Sequence, residues 1–135
     1  MKAVKLVVAI TSGLVLLAGC SSGPVSEVTN RVTSLFHGNK GEPRLSAGVK
    51  QFEDGDYTNA SKSLQESLDL GLASDSDKIK AHKYLAFTHC VSGRKRQCRD
   101  EFGKALEINP SMELEAAEKG HPIWGPEFRS AKAHK

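Results

Sequence analysis

Between residues 43 and 110, apolar side chains recur three and four positions apart, the spacing of helices that bury one face. Leu45, Gly48, Val49 and Phe52 share such a face. Tyr57, Ala60, Leu64 and Leu68 form a second, Ile79, His82, Leu85, Ala86 and Cys90 a third, and Cys98, Phe102, Ala105 and Leu106 a fourth. Turn-forming residues stand between them. Pro43 suits a first helical turn, and Asp56 and Ser74–Asp77 offer N-caps. Gly71 suits a helix end, Gly55 and Gly93 mark tight turns, and Asn109-Pro110 stops the last helix. The predicted fold class is all-α.

The four helices repeat in pairs. Gly48, Gly55, Ala60, Leu64 and Leu68 match Ala86, Gly93, Cys98, Phe102 and Leu106 at one interval of 38 residues. Small residues at 48, 60, 86 and 105 let helices approach closely, while Leu64 and Phe102 fill the gaps. This resembles the tetratricopeptide helix–turn–helix unit, whose period is about 34 residues, with extra residues in the loop between units. The first unit departs from that family at Ser67, where alanine is usual, and in lacking a terminal proline. The resemblance implies two tetratricopeptide-like hairpins over 43–110. Such stacks need covered ends, so 111–135 is read as a C-terminal cap. In it Leu114–Lys119 is expected to form a short helix stopped by Gly120, and Pro126 to start a last helix through Phe128. Ile123, Trp124 and Phe128 are expected to cover the open face.

Residues 1–19 follow a different pattern. Lys2 and Lys5 precede the apolar run Leu6–Leu17, and small Ala18 and Gly19 follow it. These are the marks of a secretory signal, and the run is shorter than the ~20 residues a membrane span needs. Leu17-Ala18-Gly19-Cys20 resembles the lipobox of bacterial lipoproteins, in which the cysteine is acylated and the chain is cut before it. The resemblance implies a cleaved signal peptide over 1–19 and lipidation of Cys20, with membrane attachment through the lipid. An ordinary signal or an uncleaved anchor is the alternative. Ser21 and Ser22, in place of an aspartate retention signal, point to the periplasmic face of the outer membrane. Residues 20–42, rich in Ser, Thr, Gly and Asn, read as a tether. Val25, Val28, Val32 and Leu35 have helical spacing there, but their neighbours are poor helix formers, and helix and disorder both stay open.

Charge adds an exclusion. The formal charge is +3; the signal segment holds two lysines and no acid, so the remainder is nearly balanced. Together with export, this excludes nucleic acid as a partner. With Cys20 assigned to lipid, Cys90 and Cys98 remain on either side of the Gly93 turn. A disulfide is favoured in an oxidising compartment, and two buried thiols are the alternative. A metal site with His89 would lack a fourth ligand, and no cofactor is expected. His82 and His89, seven apart, share a helix face as half-buried or groove-lining residues. No serine elbow, phosphate-cradling loop or enclosed carboxylate pair is present, so an enzyme is not expected. Arg94-Lys95-Arg96 with Arg99 forms a basic turn, either solvated or drawn to anionic lipid or an acidic partner.

Four segments carry a closer resemblance: Lys83-Tyr84-Leu85-Ala86-Phe87, Cys90-Val91-Ser92-Gly93-Arg94, Gln97-Cys98-Arg99-Asp100-Glu101-Phe102 and Gly120-His121-Pro122-Ile123-Trp124-Gly125-Pro126. They are similar to a family of small tetratricopeptide lipoproteins associated with type VI secretion. That likeness implies an accessory, non-enzymatic scaffold at the envelope, binding a protein partner of the secretion machine. It also implies that Lys80, Lys83 and Phe87 line the concave groove, with Trp124 a further candidate contact. The asparagine-bearing carboxylate clamp of some chaperone-binding members is absent. A pilotin-like or outer-membrane assembly factor is an alternative within the same class. A peptidoglycan- or small-ligand-binding module using Trp124 is an alternative from a different one.

Overall fold

The chain enters its first helix through a contact that only glycine permits. The Gly41 N–H donates to the Gly71 carbonyl at 3.1 Å, and a Cβ on Gly41 would sit 2.7 Å from that same oxygen. A computed structural model describes residues 40–135. The predicted signal peptide, Cys20 and the Val25–Leu35 stripe lie outside the described residues. Gly41 and Glu42, expected in the tether, belong to the fold.

Six helices and no strand occur among the described residues: α1 Glu42–Glu53, α2 Tyr57–Leu70, α3 Asp75–Val91, α4 Lys95–Ile108, α5 Ala116–Lys119 and α6 Gly125–Ala133. The fold is all-helical. α1 packs on α2 and α3 on α4 as two hairpins; α2 then packs on α3, and α1 also reaches α3. The hairpin turns need residues with positive φ, and Gly55 (81°) and Gly93 (74°) supply them. Asp56 caps α2, its carboxylate accepting the Asn59 N–H at 3.2 Å. Ser74 caps α3 through the Asp77 N–H at 3.0 Å. Arg94 opens α4 and has no side-chain oxygen to cap with. The Cys90–Cys98 disulfide closes that turn instead, its Cα atoms 5.2 Å apart.

Most of the residues matched at 38-residue spacing are alike in burial, although Leu68 is half-buried where Leu106 is buried. Ala60 and Cys98 are fully buried, as are Leu64 and Phe102. Gly48 brings α1 against α2 so closely that a Cβ would lie 2.6 Å from Leu64 Cγ. Ala86 is fully buried at the equivalent site. Ser67, the odd residue of the first pair, is also fully buried, and its hydroxyl donates to the Leu64 carbonyl at 2.6 Å. The buried polar atom is thereby satisfied.

Beyond α4 the chain turns at Asn109, whose side chain accepts from the Ser111 N–H at 3.1 Å. Met112 and Leu114 enter the core without helical structure, so the short helix covers less than expected. α6 lies on α4 and seals it: Phe128 meets Phe102 ring to ring at 5.1 Å, and Ala131 is buried beside them. It runs five residues past Phe128. Two expected inward positions differ. Ile123 is 43% exposed and does not cover the end face, because Trp124 takes the inward direction of that turn. Tyr57 is 37% exposed at the helix start, its ring tilted against that of Phe52 with centres 5.5 Å apart.

Two glycines of like helical context should respond oppositely to alanine. Gly48→Ala should cost about 1–3 kcal/mol in urea unfolding, because Leu64 and the α2 backbone must give way. Gly103→Ala, where a Cβ meets nothing within 4 Å, should stabilise by about 0.5–1 kcal/mol. Reduction of the Cys90–Cys98 bond, which closes a short loop, should lower unfolding free energy by about 2–3 kcal/mol.

Candidate functional site

The face shared by α1 and α3 gathers three aromatic side chains. Phe52, in the last turn of α1, lies 5.5 Å from Tyr84 and 6.0 Å from Phe87, both on α3. Tyr84 and Phe87 meet edge to face at 5.7 Å, a favoured ring geometry. Lys83 extends across this surface, its ammonium 5.4 Å from the Tyr84 ring centre and 5.6 Å from that of Phe87. Burial, followed by the carboxylates of Glu53, Glu118 and Glu115, pushes the Tyr84 phenol above its ordinary value.

The C-terminal segment lies over these rings. Glu115 and Glu118 form a reciprocal capping box around α5, which aims the Glu118 carboxylate at Lys83; Oε1 accepts from Nζ at 2.7 Å. Gly120 ends α5, and the rigid His121-Pro122 step turns the chain toward Trp124. There the indole Nε1–H donates to the Glu118 carbonyl at 3.1 Å. One face of the indole stacks on His121, with ring centres 3.3 Å apart and planes 3° from parallel. Phe87 lies 4.5 Å from the Trp124 ring and Phe52 6.3 Å. His121 Nδ1 accepts the Ile123 N–H at 3.2 Å, so the ring is held by the segment it helps to shape.

Of the four candidate contact residues, Lys83, Phe87 and Trp124 come together here, and Lys80 stays exposed outside the cluster. They do not line an open groove. Phe87 is 2% exposed and Lys83 is occupied by Glu118, because the chain's own C-terminal segment covers both. The π surface of Trp124 is engaged by His121 and Phe87, which leaves no open platform for stacking a sugar ring in this arrangement. Sequence reasoning missed Phe52, Tyr84 and Glu118 as members of the cluster. The position of Phe52 in the same helix face as Leu45 was a usable signal; the reach of Glu118 to a lysine 35 residues away was not.

Two other polar groupings lie outside this face. At the α3–α4 contact, Glu101 is buried and accepts from His82 Nδ1 at 2.7 Å and Lys104 Nζ at 2.6 Å. Burial pushes the Glu101 carboxyl up, but the hydrogen bonds from His82 and Lys104 outweigh it and hold the pKa below the usual value. An ionised carboxylate only accepts, so Nδ1 of His82 carries a proton. Between α2 and α3 runs a groove of about 660 Å³, lined by polar residues including Ser61, Gln65, His89 and Arg94. Burial, with Arg94 nearby, lowers the His89 pKa, and its buried Nδ1 has no hydrogen-bond partner. His89 does not converge with the cysteines, which are bonded to each other. Among the described residues no three His, Cys, Asp or Glu side chains gather to hold a metal ion.

Basic residues at the Gly93 turn are largely paired. Arg99 bonds Glu127 at 2.6 Å, Lys95 lies 3.8 Å from the same carboxylate, and Arg96 lies 4.0 Å from Asp100. No helix among the described residues is long and apolar enough to cross a membrane.

The depressed Glu101 pKa sets an acid limit. Its contribution is complete above pH about 4.5, the ordinary value, and is lost as pH falls through the lower folded-state value. Glu101→Gln should cost about 2–4 kcal/mol at pH 7 by leaving His82 and Lys104 without an anion. In urea titrations the variant should lose stability less steeply than the native protein as pH falls below 4.5, keeping only the part due to other carboxylates such as Glu113 and Asp56, whose pKa values are also lowered. Compared with protein-family models, with curated proteins and with solved structures, the chain gives no match.

Proposed function

We propose that this chain is a lipid-anchored scaffold of the bacterial envelope, binding a partner protein through two tetratricopeptide-type hairpins and a C-terminal cap. It has no enzymatic role in this reading. The observation that carries the repeat assignment is the equivalence of positions 38 residues apart. Turn glycines at 55 and 93 both take positive φ, and the buried pairs Ala60/Cys98 and Leu64/Phe102 occupy like places in their hairpins. Stacked hairpins of this kind offer the face of their first helices to partners, here α1 and α3.

The lipobox-like Leu17-Ala18-Gly19-Cys20 supports anchoring through acylated Cys20, and Ser21-Ser22 supports the periplasmic face of the outer membrane. Multiple acyl chains hold a protein stably on a bilayer, at about 0.8 kcal/mol per buried methylene. The disulfide fits an oxidising compartment. The four segments that resemble type VI secretion lipoproteins support a partner among the envelope components of that machine.

Two measurements test this reading. Expressed in a proteobacterium, the native chain should incorporate labelled palmitate and sediment with outer membranes, and Cys20→Ser should abolish both. Native protein extracted in mild detergent should co-purify with an envelope component of the type VI machine. Soluble native protein would overturn the anchor, the absence of that component would overturn the type VI assignment, and the absence of any envelope partner would overturn the scaffold reading.

A further inference from the structure

The segment over the aromatic face is held more lightly than the helices beneath it. α5 has four residues and buries none of them. Pro122 and Ile123 are exposed. Its grip on the α1–α3 face consists of the Trp124 ring and the Lys83–Glu118 pair, whose side chains are only 16% and 18% exposed.

The surface beneath keeps its shape by other means. Phe52, Tyr84 and Phe87 touch one another across two helices, and Phe87 also rests on Phe102 at 5.8 Å. Without the segment, these three rings form one continuous shelf with Lys83 across it and exposed Lys80 one turn away. Glu115 and Glu118 would leave together with the segment, removing two of the three carboxylates that surround Tyr84. An uncovered shelf of rings beside a cation calls for an aromatic side chain and a carboxylate. Trp124 and Glu118 are that pair, supplied in cis.

We propose that residues 115–124 are an intramolecular placeholder, and that the partner presents a peptide with an aromatic side chain and a carboxylate which displaces them. The proposal rests on the scaffold reading above and adds the chemistry of the partner and a closed state of the site. An outside peptide must compete with the placeholder, so its apparent affinity is reduced by the fraction of molecules that are open.

The probe is a fluorescein-labelled peptide of residues 115–126 of this chain, titrated by polarisation against the full chain in detergent. Trp124→Ala should bind it at least tenfold more tightly than the native protein does. Adding Lys83→Glu to that variant should remove the gain, whereas adding Lys62→Glu, on the remote α2 groove, should leave it. A peptide with alanine in place of Glu118 and Trp124 should not bind. Equal binding by native protein and Trp124→Ala, or no binding by the variant, overturns the proposal. If Trp124→Ala loses helix content by circular dichroism, Glu118→Lys replaces it; that change removes no aromatic surface and sets like charges against Lys83, and the same outcomes decide. Failed exchange with the envelope component still co-purifying removes the placeholder alone. Successful exchange without that component removes the type VI partner and leaves the shelf.

Discussion

Phe87 is the side chain on which the arrangement converges. Its ring touches Phe52 of α1, its neighbour Tyr84 on α3, Phe102 of α4 and Trp124 of the C-terminal segment. A fully buried aromatic side chain contributes on the order of 2–3 kcal/mol through burial alone, and each well-set ring pair adds about 0.5–1.5 kcal/mol. The larger effect is geometric. Both hairpins and the cap must present a ring to the same point, which fixes their relative placement. The same point couples the interior to the candidate partner face, because one edge of Phe87 belongs to the core and another to the shelf.

The two hairpins reach similar shapes by different chemistry. The first turn has an aspartate cap and a glycine–leucine close approach, with two serines buried on α2. The second has an arginine at the capping position, a disulfide across the turn, and the apolar residues Ala86 and Phe102 where the first has Gly48 and Leu64. A cap contributes about 1 kcal/mol and a short disulfide loop about 2–3 kcal/mol. The covalent closure therefore more than replaces the missing cap, and the second hairpin also holds the larger share of the aromatic core.

Features governed by backbone rules were legible in the sequence. Gly55 and Gly93 announced turns because few other residues accept positive φ, and Asp56 and Ser74 announced helix starts because their oxygens reach free N–H groups. The candidate site was legible in part. Lys83, Phe87 and Trp124 were singled out, and Trp124 was expected to cover the end of the stack, but the contact of the three and the burial of Lys83 and Phe87 were not. The reason lies in α3, which buries Ala81, Leu85, Ala86, Phe87, Thr88 and Cys90 around much of its circumference. A helix enclosed on several sides has no clear apolar stripe, so its free face cannot be read from periodicity. The cover over Phe87 also comes from a loop after Gly120, and loop paths carry no period at all. Glu101 illustrates the same limit: its sequence neighbours suggest a surface charge, and only the α3–α4 contact makes it a buried anion held by His82.

The Gly41–Gly71 hydrogen bond has a mechanical consequence. Tension applied through the N-terminal segment enters the domain there, at the junction of the first turn of α1 with the end of α2. The disulfide lies wholly within the other hairpin, outside that path. Such a pull bears first on α1, the helix that carries Phe52 of the aromatic shelf, and not on the disulfide-closed hairpin or its α6 cover. Regions with fewer buried contacts open at lower free energy in any case; here the direction of load and the order of stability coincide. A pull on this end is thus carried by one pair of glycines, and the covalent link of the domain lies outside its path.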